Sequence, residues 1–181
     1  MNERSQTGSF GDQLVALMPR LRRFAIGLTS SAHEGDDLVQ SACERALERT
    51  EQWQPGTRLD SWMYRIMQTI WLDRLRAGAV RTSFLREQVE EPIVDGVRDA
   101  HARLTLGKVR RILEEMPEPQ RAVLLLVCVE GLSYREAANV LGVPTGTVMS
   151  RLARARKTVI DRLDGVVEAP DAATELEAAN A

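Results

Sequence analysis

A chain of 181 residues allows one domain or two small ones, each with a modest core. No apolar run approaches the ~18 residues that a membrane span needs, and the N-terminus is not a signal peptide, so the expected location is the cytoplasm. The formal net charge of −2 is low for a free-standing DNA binder, but the charge is unevenly spread. Residues 57–86 carry six Arg against two Asp, a local +4, and residues 133–162 carry five Arg and one Lys against two acids, again +4. Residues 87–101 hold five acids and one Arg (−4), and residues 163–181 hold five acids and no base (−5). Two basic footprints, separated and followed by acidic solvated segments, point to nucleic acid contacted at two places.

Helical periodicity dominates and β-branched runs are scarce, so the class is all-α. Residues 1–9 are polar and read as a disordered N-terminus. A first helix is expected from Phe10 or Gly11 to Thr29, with Leu14, Leu17, Leu21, Phe24 and Leu28 inward and a bend or break at Pro19. A second should run from Glu34 to Thr50, burying Leu38, Ala42, Ala46 and Leu47 and leaving Asp36, Asp37, Gln40, Glu44 and Arg45 outside. The third covers Arg58 to Ala77. Leu59, Trp62, Met63, Ile66, Met67 and Ile70 share one side, and Ser61, Arg65, Gln68, Thr69, Leu72 and Arg76 lie opposite. Trp53, Trp62, Tyr64 and Trp71 interleave with these basic side chains, as in a platform on which single-stranded bases stack. The same rings also suit the core of a three-helix domain. For Trp62 the core is the preferred reading, while for Trp53, Tyr64 and Trp71 both stay open.

Residues 78–101, with Gly78, Pro92, Gly96 and several acids, read as a flexible acidic linker between two small helical domains, 10–77 and 102–164. Helical pattern resumes with Leu104, Val109, Ile112, Leu113 and Met116, breaks at Pro117 and Pro119, and returns as an apolar helix from Gln120 to Glu130. Ser133 and Glu136 then form a capping box, Ala137, Ala138, Val140 and Leu141 give an apolar side, and Gly142 and Pro144 end that helix. Thr145 or Thr147 can cap the next helix, whose stripe Val148, Leu152, Ala155 and Val159 faces inward. Ser150, Arg151, Arg154, Arg156 and Lys157 lie off that stripe, within reach of phosphates and base edges. This is a helix-turn-helix with its second helix shaped for the major groove. Residues 165–181 read as a disordered acidic tail.

Cys43 and Cys128 lie in helical patterns far from His33 and His101, so they read as small buried hydrophobes and no metal or cofactor is expected. No Gly-rich phosphate loop and no nucleophile–base motif is present, so the chain is not expected to be an enzyme.

Asp36-Asp37-Leu38-Val39-Gln40, Ser61-Trp62-Met63-Tyr64-Arg65-Ile66 and Leu72-Asp73-Arg74-Leu75-Arg76 resemble region 2 of the extracytoplasmic-function (ECF) sigma factors. Pro117 to Arg121, Gly131 to Ala137, and the run from Gly142 to Arg156 resemble their region 4, and the likeness covers about residues 11–164. The resemblance implies a bacterial RNA polymerase subunit that confers promoter recognition and responds to stress. Its partners would be core polymerase, promoter DNA and an anti-sigma factor, with neither membrane nor small-molecule substrate. It places Asp37, Leu38, Gln40, Glu44 and Arg45 on the polymerase, and Trp53, Tyr64, Arg65, Gln68, Thr69, Trp71 and Arg76 on the −10 element. It places Thr147, Met149, Ser150, Arg151, Arg154, Arg156 and Lys157 on the −35 element. Two positions depart from the common pattern. Met149 stands where many members have Lys and can touch a thymine methyl, and Gln68-Thr69 stand where Arg-Asn is frequent. Asp73, nearer the apolar side, suits an ion pair with an Arg. The alternative function is a stand-alone helix-turn-helix regulator binding an operator as a dimer.

Overall fold

The computed structural model describes residues 9–81 and 100–167, and every described regular element is helical. The expected N-terminal disorder, most of the linker and the acidic tail lie outside the described residues.

Helix α1, Phe10–Thr29, starts at a capping box in which Ser9 Oγ accepts from the Asp12 amide while the Asp12 carboxylate takes the Ser9 amide. Pro19 does not break it, and Leu21, Phe24 and Leu28 beyond the proline are fully buried. The packing of that turn outweighs the one hydrogen bond a proline removes. Ser30 ends α1 in the left-handed conformation at φ 61°, its N–H returning to Ile26 O. Ser31 then caps α2, Ala32–Glu48. The two helices cross so closely that a Cβ on Gly35 would stand 2.8 Å from Ile26 Cγ1 and 3.0 Å from Ile26 N.

A short 3₁₀ turn, Thr50–Gln52, leads to α3, Leu59–Arg81. Met63, Met67 and Ile70 are buried on α3, but so are Tyr64 and Gln68 on its other flank. Both flanks are covered because the second half of the chain packs against α3.

That second half holds α4 (Ala100–Glu115), α5 (Glu118–Leu124), α6 (Tyr134–Leu141) and α7 (Thr145–Val167). The apolar helix expected from Gln120 to Glu130 begins two residues earlier and does not stay α-helical. Leu125–Val129 form a π turn, in which the Glu130 amide reaches Leu125 O at 2.9 Å, and Gly131 (φ 73°) lets the chain leave it. The capping box of Ser133 and Glu136 forms as the sequence predicts, and Gly142 closes α6 at φ 65°. Pro144 takes the position before α7, its carbonyl accepting from Thr147 and Val148, so both threonines lie inside the first turn rather than at the cap.

The halves share one core, running from Leu14, Phe24, Leu38 and Met67 to Val123, Leu126, Val140 and Leu152. A smaller cluster of Ile112, Met116 and Ala155 sits between α4 and α7. Where α1 meets the π turn the approach is tight: a Cβ on Gly27 would stand 2.7 Å from Leu125 Cδ2.

Candidate nucleic-acid interface

Val148 and Leu152 hold α7 in the main core and Ala155 packs with Ile112 and Met116, which turns the opposite flank of α7 outward. Met149, Ser150, Arg154, Arg156 and Lys157 are exposed there, with Thr147 and Arg151 half-buried at the edge. The flank is basic and open. Ser150 Oγ donates back to Thr147 O at 3.1 Å, and Lys157 pairs with Asp161 at 3.4 Å. Arg156 Nη2 donates to Cys128 Sγ at 3.7 Å, which raises the guanidinium pKa further. Cys128 is thus exposed, not a buried hydrophobe. Cys43 is half-buried and donates to the Met18 thioether at 3.8 Å, and burial pushes its thiol pKa up.

The aromatic platform expected beside α3 is not at the surface. Trp53, Tyr64 and Trp71 are buried, Trp53 against Phe10 with ring centroids 5.5 Å apart and Tyr64 against Phe24 at 4.9 Å. Trp62, the ring for which core was preferred, is half-buried and meets Phe10 edge-on. Gln68 is also buried, its amide donating to Glu118 across the seam between the halves. Helical period separates the two flanks of α3, but it carries no information on what covers the second one. Arg65, Thr69 and Arg76 remain exposed. Arg76 pairs with Asp73 at 3.2 Å, the ion pair that Asp73 suggests.

On α2, Asp37, Gln40 and Glu44 are exposed and Arg45 half-buried, with Gln40 Nε2 donating to Glu44 at 3.0 Å. Leu38 is different. It is fully buried in the core, so its part in any contact made by this face is structural. Leu47, expected inside, is 59 % exposed and continues the stripe of Asp37, Gln40 and Glu44 at helical spacing. Val15 and Met18 of α1 add exposed apolar surface, Met18 adjoining Cys43. Leu47 fits an inward position of α2 by period, while Val15 and Met18 lie off the inward stripe of α1.

The seam is polar at its centre. The Glu130 side chain is 0 % exposed and accepts from Arg20 Nε at 3.2 Å, Arg23 Nε at 3.0 Å and the Tyr64 hydroxyl at 2.6 Å. Arg20 also donates to the Glu130 carbonyl and to Asp60, and Asp60 receives both Nε and Nη2 of Arg58. Arg58 reaches across to Glu136. Burial alone would raise the pKa of Asp60, but the Arg58 hydrogen bond and charge and the Ser61 amide hold it below the usual carboxylate range. Burial, and donation to Glu130, push the Tyr64 hydroxyl well above its ordinary value. Three arginines thus balance three carboxylates.

A second clasp lies at the end of α1, whose last turn carries no base of its own. Arg110 donates to Ser30 O and Arg121 to Ser30 Oγ, each at 2.9 Å, bringing positive charge to the negative end of the helix dipole.

Two families match the chain in series: "Sigma2 domain of PhyR" over residues 11–68 and "Sigma-70, region 4" over residues 106–159. The ECF RNA polymerase sigma factor EcfG of Rhodopseudomonas palustris is 34 % identical over 158 residues, covering 83 % of this chain and 82 % of that protein. The sigma factor RpoE of Bartonella quintana, solved in complex with the anti-sigma factor NepR, aligns with a TM-score of 0.73 at 26 % identity over 86 % of this chain and 96 % of that one. The PhyRSL–NepR complex from Sphingomonas sp. Fr1 aligns at a TM-score of 0.63 and 26 % identity, over 85 % of this chain and 88 % of that one.

Proposed function

The chain belongs to the extracytoplasmic-function RNA polymerase sigma factors, and from that membership we propose how its surfaces divide the work of promoter recognition. The protein binds core RNA polymerase and directs it to promoters carrying two elements. The observation that carries this reading is the open basic flank of α7, present on a chain whose other half matches a sigma-type domain. A stand-alone operator-binding dimer gives way to it.

On this reading α7 enters the major groove of the −35 element. Arg154, Arg156 and Lys157 hold phosphates, while Thr147, Ser150 and Arg151 face base edges and Met149 meets a thymine methyl. Arg65, Thr69 and Arg76 face the −10 element, and Tyr64 and Gln68 join them only when the seam is open. Asp37, Gln40, Glu44, Arg45 and the exposed Leu47 form the polymerase face, extended by Val15 and Met18. Each footprint alone is small. Fixed to one polymerase, two weak contacts add through effective concentration, which suits a chain of net charge −2. An anti-sigma factor holds the protein until a stress signal, as the NepR complex of the Bartonella relative supports. The chain acts in the cytoplasm as an initiation factor without a reaction of its own. No helix among the described residues is long and apolar enough to cross a membrane.

Run-off transcription with bacterial core polymerase on fragmented host genomic DNA tests the proposal. Discrete transcripts that appear only with this protein and share two upstream motifs are expected. No new transcripts, together with specific duplex binding by the protein alone, would return it to the operator-binding class.

A further inference from the structure

Thr29, Ser30 and Ser31 place hydroxyls in a row between α1 and α2, and each is used differently. Thr29 Oγ1 donates to Ala25 O at 3.0 Å and to Ser31 O at 2.8 Å, and Ser31 Oγ caps α2 by accepting from the Glu34 amide. Ser30, half-buried and in the left-handed conformation, is met from the second half of the chain by Arg121 Nη1, which donates to its Oγ at 2.9 Å. Arg121 is the anomaly here. Its guanidinium is half-buried, its Nε is sealed from solvent without an acceptor, and the oxygen it does reach is that neutral hydroxyl. Among the described residues no carboxylate forms an ion pair with Arg121. Glu118 takes the Gln68 amide and Glu114 pairs with Arg110, so both act on Arg121 only from a distance. Burial pulls the Arg121 pKa down, the mark of a cation short of a counter-charge. Arg110 brings a second guanidinium to the same residue, its Nη2 donating to Ser30 O at 2.9 Å. Two cations converge on one serine.

We propose that Ser30 is a phosphorylation site whose phosphoryl group Arg110 and Arg121 are placed to receive. A serine kinase supplies the group from a nucleoside triphosphate. The Ser30 oxygen forms the new bond to the γ-phosphorus, the bond from that phosphorus to its bridging oxygen breaks, and the nucleoside diphosphate leaves. The hydroxyl proton passes to the base of the kinase. Phosphoryl oxygens then stand beside the Arg121 fork, and charge-assisted bonds replace a single bond to a neutral hydroxyl. The new charge also precedes the first turn of α2, whose amides favour an anion, while Arg110 already covers the carbonyl end of α1. Ser30 belongs to the first half of the chain and both arginines to the second. The modification is therefore a covalent control on how firmly the halves are joined.

The test uses the full chain without polymerase, so its outcome is independent of run-off transcription. Phosphoserine is encoded genetically at position 30, and its phosphorus NMR signal is titrated. The second phosphate pKa is expected to fall from about 6 to about 5 or below, and to return toward 6 in the Arg110→Gln, Arg121→Gln background. Glu114 and Glu118 oppose that fall, and His33 of α2 is turned to Asp37 at 3.9 Å. The thermal midpoint should rise by several degrees with phosphoserine in the otherwise unaltered chain, and should not rise in the double variant. If the double variant loses helical circular dichroism, Arg110→Gln alone carries the comparison, and part of the pKa shift should disappear. Peptide mapping by mass of the protein from growing and from stressed host cells should find phosphate on Ser30. An unshifted phosphate pKa overturns the proposal, as does a shift that survives the loss of both arginines. So does a Ser30 peptide free of phosphate in both states of the cells.

Discussion

Tyr64 and Glu130, 66 residues apart in sequence, meet through a 2.6 Å hydrogen bond that is sealed from solvent. The contact joins the middle of α3 to the exit of the π turn and fixes how the two halves face each other. Removing the hydroxyl leaves Glu130 with its arginine donors and takes away one charge-assisted bond. Tyr64→Phe should therefore cost on the order of 1.5–3 kcal/mol in denaturant unfolding. Glu130→Ala should cost more, because it removes the acceptor of Arg23 and of Arg20 Nε as well as that of Tyr64. An equal or smaller loss for Glu130→Ala would refute the seam's role in holding the halves.

Asp60 contributes to stability in acid. Its folded pKa lies below its unfolded value, so the stability it contributes is present above about pH 4 and is lost as pH falls through the folded pKa. Unfolding free energy should drop between about pH 5 and pH 2, and Asp60→Asn should flatten that fall while lowering stability at neutral pH. Urea midpoints measured across the range decide it.

Gly35 and Gly27 should respond differently to a methyl group. At Gly35 the new Cβ meets Ile26 backbone atoms at 3.0 and 3.1 Å, which cannot turn aside. At Gly27 it meets the end of the Leu125 side chain, which has other rotamers. Gly35→Ala is expected to destabilise by about 1–3 kcal/mol and Gly27→Ala by clearly less, read from thermal unfolding.

Leu38 and Leu47 separate folding from partner binding. Leu38→Ala should cost about 2–5 kcal/mol of stability, as a fully buried leucine does. Leu47→Ala should leave stability within about 0.5 kcal/mol while weakening the complex with core polymerase. Matching affinities for wild type and Leu47→Ala would remove this end of α2 from the polymerase face.

On α7, Arg151→Ala should cost about 1–3 kcal/mol on a matched −35 element and relax preference at one base pair. Arg154→Ala should weaken binding alike on all sequences and reduce the salt slope by about 0.9. Binding to a panel of single-base variants at two salt concentrations distinguishes the two roles.

The helix-turn-helix was legible in sequence because its signals are local: Ser133 with Glu136 starts α6, and Gly142 with Pro144 ends it within a few residues. The extent of α1 follows from periodicity and its cap in the same way, whereas α2 runs Ala32–Glu48, two residues earlier at each end than the expected Glu34 to Thr50, because Ser31 caps it. Burial was harder to read wherever two elements compete for one residue. Tyr64 and Gln68 lie on a polar flank by period, yet a distant carboxylate covers each. Leu38 and Leu47 both fit an inward stripe, and only the crossing of α1 and α2 decides which is core. The π turn left no trace, since Leu125 to Val129 are apolar all round and give no phase to read.

That turn has a consequence for the chain as a length of thread. A π turn stores one residue beyond the α-helical count, and one residue corresponds to about 100° of rotation. Deleting one position between Leu125 and Val129 would turn the π turn into a regular α turn with Glu130 still toward Tyr64, whereas a second deletion would rotate Glu130 by about 100° away from it. The spacing between Pro117 and Ser133 therefore works as a phase setting with one residue of slack, tolerant of which apolar residues fill it and of the loss of a single one.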